Sequence, residues 1–85
     1  MIKYHLEITT SAEKELQKYF PKLQKRLINK MLKLSENPRP FGFKKLLASN
    51  NYRVRLGDYR IIYTIDDARR SVKILDIGHR KDIYR

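Results

Sequence analysis

Near the N-terminus of the chain, apolar and polar residues alternate one by one. The apolar positions are Ile2, Tyr4, Leu6 and Ile8. Because successive side chains of a strand point to opposite faces, this pattern predicts a strand with one buried face.

The apolar residues then take up helical spacing. Thr10, with Glu13 three residues later, fits a capping box, so we expect Thr10 to be the N-cap of a first helix. Pro21 suits the first position of a second helix, and the segment Asn37-Pro38-Arg39-Pro40 ends it. Together the two segments predict a helical hairpin, and residues 41–51 are expected to form a connector.

The clearest alternation runs from Asn51 to Tyr63 and predicts two strands joined by a tight turn at Gly57-Asp58. Such a turn fixes the register. The expected cross-strand partners are Tyr52 and Tyr63, Arg53 and Ile62, Val54 and Ile61, Arg55 and Arg60, and Leu56 and Tyr59. One face of this hairpin is therefore apolar and aromatic, and the other carries Arg53, Arg55 and Arg60.

A last strand is predicted from Val72 to Gly78, and its apolar residues on both faces are typical of a central strand. The order β-α-α-β-β-β predicts a single α+β domain over residues 1–85. We expect an N-terminal strand, a helical hairpin and a three-stranded antiparallel meander that forms one sheet packed on the helices. The three arginines of the hairpin should then line the open, concave side of the sheet.

The predicted pairing of Arg55 with Arg60 is unusual, because like charges directly across a strand pair are destabilising. A protein that keeps such a pair is expected to use it to bind an anion, and a phosphate is the natural candidate. For Arg53 or Arg55 alone, an ordinary solvated residue on an exposed sheet face is the alternative interpretation.

The overall charge also indicates a polyanionic partner. The net charge is +11, with nine Lys or Arg against four acids in residues 1–43 and eleven against five in residues 44–85. A basic excess spread over a compact domain favours RNA or DNA over a membrane surface.

The composition argues against several other classes of site and against a membrane or secreted location. There are no cysteines and two histidines, so we expect neither disulfides nor a zinc site, and we expect no cofactor. Charges interrupt the apolar positions throughout, which excludes a membrane helix. Residues 1–20 alternate like a strand and then like a helix rather than like a signal peptide, so the expected location is the cytoplasm.

Two motifs together resemble the RelE toxins of bacterial and archaeal toxin–antitoxin pairs. They are Tyr52-Arg-Val-Arg-Leu-Gly-Asp-Tyr-Arg-Ile-Ile-Tyr63 and, some fifteen residues later, Gly78-His-Arg-Lys-Asp-Ile-Tyr84. The resemblance implies the fold of the wider RelE/ParE superfamily and an endoribonuclease that cuts mRNA codons in the ribosomal A site without a metal. In that reaction the ribose 2′-OH attacks the adjacent phosphate, leaving a 2′,3′-cyclic phosphate and a 5′-OH. The resemblance also implies an antitoxin partner, which would wrap an extended acidic segment around the toxin.

The same resemblance assigns the candidate catalytic residues. Arg53 and Arg55 match two basic residues on the family's active-site strand, Arg60 matches the arginine after the strand-opening tyrosine, and Arg80 and Tyr84 match the C-terminal motif. Arg55 and Arg60 would stabilise the pentacovalent phosphate, with Arg80 assisting or donating a proton and Tyr84 stacking on or orienting the base. For Tyr84, packing at the C-terminus is an equally good interpretation.

This chain departs from the family at one point. Well-studied members have lysines where Arg53 and Arg55 stand, and one of those lysines has been proposed as the general base. Arginine effectively stays protonated, so the base could be another group, such as His79. The alternatives for His79 are capping of the last strand and catalysis.

The second predicted helix carries a run of basic residues with no acid before Glu36: Lys22, Lys25, Arg26, Lys30 and Lys33. A solvated helix face is one interpretation, and contact with ribosomal RNA is the other. Two further functions stay open for the whole chain. The first is a non-enzymatic, ParE-type inhibitor of DNA gyrase, and the second is a toxin-derived binding module with little activity.

Overall fold

The computed structural model describes residues 3–46 and 49–79, which form two helices and five strands in an α+β arrangement. In chain order they are β1 (His5–Ile8), α1 (Thr10–Gln17), α2 (Pro21–Glu36), β2 (Lys44–Lys45), β3 (Tyr52–Leu56), β4 (Tyr59–Asp66) and β5 (Ser71–His79). The predicted order of elements is confirmed, with one addition, the two-residue strand β2.

The strands form one mixed sheet in the order β1-β5-β4-β3-β2. Strand β1 runs parallel to β5, and the other neighbours are antiparallel. Strands β3, β4 and β5 are the predicted meander. Strand β2 lies in the segment expected to be only a connector, since two residues are too few to show an alternating pattern.

The first helix begins one residue differently from the prediction. Its N-cap is Thr9, which has extended backbone angles and whose Oγ1 accepts a hydrogen bond from the Ala12 amide at 3.1 Å. The prediction that Thr10 is the N-cap is therefore wrong. Thr10 already has helical geometry because the extended backbone of β1 continues only as far as Thr9. The second helix begins at Pro21 and ends at Glu36, as expected.

The predicted register of the arginine hairpin is confirmed at all five pairs from Tyr52 and Tyr63 to Leu56 and Tyr59. Gly57 has a φ of +60°, whereas Asp58 does not have a positive φ. A glycine with positive φ at the first of two turn positions is the signature of a type II′ turn, which matches the twist of the flanking strands. The turn therefore fixes which side chains face each other across β3 and β4.

The helices cover one side of the sheet, here called the helix-side face. The buried apolar residues on the two layers are Ala12, Leu16, Leu27, Met31, Leu34, Val54, Ile61, Tyr63, Val72, Ile74 and Ile77. The opposite side, here called the open face, has no described helix against it. Neither described helix is long and apolar enough to cross a membrane.

Polar contacts hold the segment after α2 against the sheet. The Oη atom of Tyr63, a fully buried residue, donates a hydrogen bond to the Pro38 carbonyl at 2.7 Å. Arg39 donates from both terminal nitrogens to the carboxylate of Asp67, at 3.3 and 2.9 Å, and the Tyr4 hydroxyl donates to the same carboxylate at 2.7 Å. These contacts orient the chain as it leaves α2 for the edge strand β2.

Candidate active site on the open face of the sheet

The centre of the open face is the cross-strand pair of Arg55 and Arg60. Both side chains lie on this face, as predicted, but they are not equally accessible. Arg55 is exposed, whereas only 7% of Arg60 is exposed. The burial of Arg60 is a feature that the alternation of the sequence does not predict. Strand β4 is central, so neighbouring strands flank Arg60 on both sides, and its partner on β5 is Gly78, which has no side chain to displace it.

A second row of side chains crosses the sheet beside this pair. Its members are Lys44 on β2, Arg53 on β3, Ile62 on β4 and Asp76 on β5, each opposite the next. Arg53 is half-buried, whereas Lys44 and Asp76 are exposed. Because residues two apart on a strand share a face, this row is adjacent to the row of Arg55, Arg60 and Gly78. Four basic groups therefore converge on one side of the sheet.

Two members of this face were not anticipated from the sequence. Lys44 joins it because β2 pairs with β3 and places Lys44 opposite Arg53, while Lys45, opposite Tyr52, points to the other face. Asp76 joins it through an irregularity in the ladder, where Ile62 pairs with Asp76 and Tyr63 pairs with Ile74. Two features of the sequence could have indicated these residues. One is the pair Lys44-Lys45 in the predicted connector, and the other is Asp76, the single acid in a largely apolar strand.

His79 does not lie with the arginines. It pairs with Tyr59, so its side chain is on the helix-side face. There its ring packs edge-on against Tyr59 with the centroids 5.4 Å apart, and Tyr59 in turn packs against Tyr19 at 5.2 Å. The geometry favours an aromatic packing role for His79 over proton transfer on the open face. The other two candidates from the C-terminal motif, Arg80 and Tyr84, lie outside the described residues.

The basic residues of α2 are only partly brought together. Arg26, Lys30 and Lys33 line an open cleft of about 250 Å³ with Asn29 and with Leu56 of β3. Lys22 lies one helical turn before Arg26, on the same side of the helix. Lys25 is exposed and does not line the cleft.

This cleft ends at the arginine hairpin. Leu56 is the last residue of β3 and directly follows Arg55, whose side chain points to the opposite face. The basic cleft and the arginine pair therefore lie on opposite faces of the sheet, both at the end of β3 next to the hairpin turn. A long polyanion could contact both surfaces at once, whereas a small ligand could not.

Among residues 3–46 and 49–79, no three His, Cys, Asp or Glu side chains are grouped so that they could hold a metal ion. The chemistry that the described open face can offer is thus that of cations around an anion. Guanidinium groups form paired hydrogen bonds with phosphate oxygens, and their fixed positions on adjacent strands reduce the reorganisation that binding requires.

The sequence and fold are similar to those of known toxins. A family model described as the ParE toxin of the type II toxin–antitoxin system parDE matches residues 6–84. Toxin RelG of Mycobacterium tuberculosis is 35% identical over 85 residues, which cover 96% of this chain and 97% of RelG. The toxin–antitoxin complex RelBE2 of the same organism contains a chain with 32% identity and a TM-score of 0.82, with 96% of this chain and 97% of that one covered. The archaeal RelE–RelB complex of Pyrococcus horikoshii gives 30% identity and a TM-score of 0.83, with 95% and 99% covered.

Proposed function

This chain belongs to the RelE and ParE toxins of type II toxin–antitoxin systems, and on that premise we propose that it is an endoribonuclease that cuts mRNA in the ribosomal A site. The observation that carries the proposal is the cross-strand pair of Arg55 and Arg60, with Arg53 beside it. A gyrase-binding surface or a structural sheet has no chemical need for this repulsive pair. A phosphodiester has two non-bridging oxygens that share one negative charge and can accept hydrogen bonds from both arginines.

The proposed reaction is an intramolecular transesterification that needs no metal. The ribose 2′-oxygen forms a bond to phosphorus, the bond from phosphorus to the 5′-oxygen breaks, and negative charge accumulates on the phosphorane between these steps. Arg55 and Arg60 would stabilise that charge. Because Arg60 is held in a central strand and nearly buried, its guanidinium needs little rearrangement as the charge develops.

The remaining candidates from the family motif complete the proposal. Arg53 would bind a neighbouring phosphate, Arg80 would assist or protonate the leaving 5′-oxygen, and Tyr84 would stack on the base and hold it in line for attack. These three roles rest on the match of this sequence to the family motif.

We further propose that the basic side of α2 contacts ribosomal RNA. The cleft lined by Arg26, Lys30 and Lys33 reaches Leu56, the neighbour of Arg55 on β3, so RNA bound there would lie near the mRNA codon. Contacts of this kind are sequence-blind and depend strongly on salt. If ribosome binding did not weaken as salt increased, this part of the proposal would be wrong.

The proposal includes an antitoxin partner. The structures described as RelBE2 and archaeal RelE–RelB are toxin–antitoxin complexes, and the +11 charge of this chain favours an acidic segment as the ligand. Co-expression with an adjacent small acidic protein should raise the yield and give a complex that copurifies. No change in yield and no copurification would contradict this partner.

The test is a cell-free translation reaction with the purified protein, in which mRNA 5′ ends are mapped by primer extension. New ends inside the codon at the A site are expected, and they should be absent when ribosomes are omitted. Intact mRNA in the presence of folded protein and matched ribosomes would contradict the endoribonuclease function.

A second candidate function is inhibition of DNA gyrase, because the matching family model describes a ParE toxin. Cleaved DNA–gyrase complexes that accumulate on expression while mRNA stays whole would support it. A third candidate is a binding module with little activity, in which Arg53 and Arg55 bind phosphate without completing the reaction. That protein would bind antitoxin but produce neither mRNA ends nor gyrase complexes.

A further inference from the structure

The proposed reaction needs a group that removes the 2′-OH proton, and the arginines do not supply it. A guanidinium stays protonated in proteins, so Arg53, Arg55 and Arg60 can stabilise charge but cannot act as the base. His79 could exchange a proton, but its side chain lies on the helix-side face, in contact with Tyr59. Within residues 3–46 and 49–79, the remaining candidates for the base are the other side chains of the open face.

Of the described side chains, two titratable groups flank the arginine pair there, one on each side. Lys44 is opposite Arg53, so it is the diagonal neighbour of Arg55. Asp76 is opposite Ile62, so it is the diagonal neighbour of Arg60. Diagonal neighbours on adjacent antiparallel strands are about 7–8 Å apart, within reach of long side chains.

Asp76 fits the role poorly. Its Oδ1 accepts a hydrogen bond from the Ile77 amide at 3.0 Å, which directs part of the short carboxylate toward its own strand. The Asp76 carboxylate would also repel the scissile phosphate until it had taken the proton.

Lys44 fits the role better. It is exposed on an edge strand, so its long side chain can extend over the arginines toward a bound phosphodiester. The charged groups that face it are Arg53 and Arg55 of β3 and, one strand further, Arg60 of β4. A neutral amine that takes a proton becomes a cation as negative charge grows on the phosphorane, so the transfer adds to the stabilisation that the arginines provide.

We propose that Lys44 is the general base of this site, an inference that rests on the endoribonuclease function proposed above. In the step, the Nζ lone pair of neutral Lys44 takes the 2′-OH proton, the 2′-oxygen bonds to phosphorus, and the electron pair of the broken phosphorus–oxygen bond leaves on the 5′-oxygen, which is protonated by a separate acid. The products are the 2′,3′-cyclic phosphate, the 5′-OH and a protonated Lys44.

The test measures single-turnover cleavage of mRNA on programmed ribosomes by the wild type and by the variants Lys44→Arg, Lys44→Ala and Asp76→Asn. Lys45→Arg and Lys45→Ala are matched controls, since Lys45 is the adjacent exposed lysine on the other face. Both Lys44 variants should cleave about 100-fold more slowly, the typical contribution of a general base, and the Lys45 variants should stay within about twofold of the wild type. Lys44→Arg should retain ribosome binding because it keeps the positive charge.

The dependence on pH separates proton transfer from a purely electrostatic role. The wild-type rate should depend on pH, and this dependence should be lost in Lys44→Arg. Cleavage by Lys44→Arg at the wild-type rate would overturn the inference but would not contradict the endoribonuclease function. A loss of rate in Asp76→Asn alone would have the same consequence. No cleavage by the wild type would instead overturn the endoribonuclease function, and the inference with it.

Discussion

The two faces of the β3–β4 hairpin are made by the same short segment, residues 52–66, yet they follow opposite physical rules. On the helix-side face the cross-strand pairs are apolar or aromatic, and Tyr52 packs against Tyr63 with ring centroids 5.8 Å apart. On the open face, Arg55 lies directly across from Arg60. Each pair on the helix-side face stabilises the folded protein. On the open face, the repulsion between the two arginines acts against folding of the unbound protein.

This difference indicates which face of a small domain carries function. A chain of 85 residues has little stability to spare, so a pair of like charges kept across its sheet indicates a function for those charges. Substitutions on the helix-side face should therefore lower stability without altering the chemistry of the folded molecules. Substitution of the exposed Arg55 on the open face should lower activity without lowering stability.

The largest effect is expected for Arg55→Thr. Threonine removes the charge but retains high strand propensity at an exposed position. Loss of one preorganised charge donor should slow mRNA cleavage about 10²-fold to 10³-fold. Relief of repulsion from Arg60 should at the same time leave the free energy of unfolding unchanged or raise it by up to about 1 kcal/mol.

Cleavage is measured by primer extension, and stability is measured by urea unfolding of the same preparations. Lys73→Thr is a matched control, because Lys73 is an exposed cation of the open face opposite Thr64, away from the arginine pair. If Arg55→Thr cleaved mRNA as fast as this control, the arginine pair would not be the catalytic centre.

The converse effect is expected for Tyr63→Phe on the helix-side face. The substitution removes the buried hydrogen bond from Tyr63 to the Pro38 carbonyl while keeping the ring. It should lower the free energy of unfolding by about 1–3 kcal/mol, a shift of several degrees in Tm for a domain of this size. Burial raises the pKa of the Tyr63 phenol above its ordinary value, near 10, so the deficit should be fully present at neutral pH. It should shrink as the pH rises above about 10, where the phenol ionises in the unfolded chain but stays protonated in the folded protein.

The rate of mRNA cleavage per folded molecule should be unchanged in Tyr63→Phe. A drop in that rate at a temperature where the variant is fully folded would show that the two faces are coupled. Tyr52→Phe is the comparison for a half-buried tyrosine of the same face, and it should lose less stability.

The sequence predicted the part of the site that depends on alternation and turn chemistry. A two-residue turn at Gly57-Asp58 has only one compatible register, and alternation then decides which face each side chain occupies. The pairing of Arg55 with Arg60 could be derived in this way before any coordinates were known.

The parts that depend on neighbours distant in sequence could not be predicted in the same way. The burial of Arg60 follows from Gly78 across from it on β5, and the place of Lys44 follows from a two-residue pairing with β3. His79 was a candidate base because of its residue type. Its orientation depends on the register of β4 with β5, which includes an irregularity between Ile62 and Tyr63 that alternation alone does not reveal.

The smallest effect is expected at the exposed cluster around Asp67, which belongs to neither face. Hydrogen bonds from Arg39 and then from Tyr4 hold the pKa of Asp67 below its ordinary value. A group whose folded-state pKa is lowered contributes stability above its unfolded pKa, near 4, and loses that contribution as the pH falls through the folded-state pKa. Asp67→Asn should therefore lower Tm slightly at pH 7 and low salt.

That difference in Tm should shrink when the pH is lowered toward 3 and when salt is added, because the pair of Arg39 and Asp67 is solvent-exposed and screened. Thermal unfolding of the wild type and Asp67→Asn at pH 7 and near pH 3 measures this difference in Tm. The control is Asp58→Asn in the exposed hairpin turn. A gap in Tm that is equal at both pH values would mean that Asp67 acts through its shape rather than its charge. In either case mRNA cleavage should be unaffected, since Asp67 lies in the turn between β4 and β5, at the opposite end of β4 from Arg60.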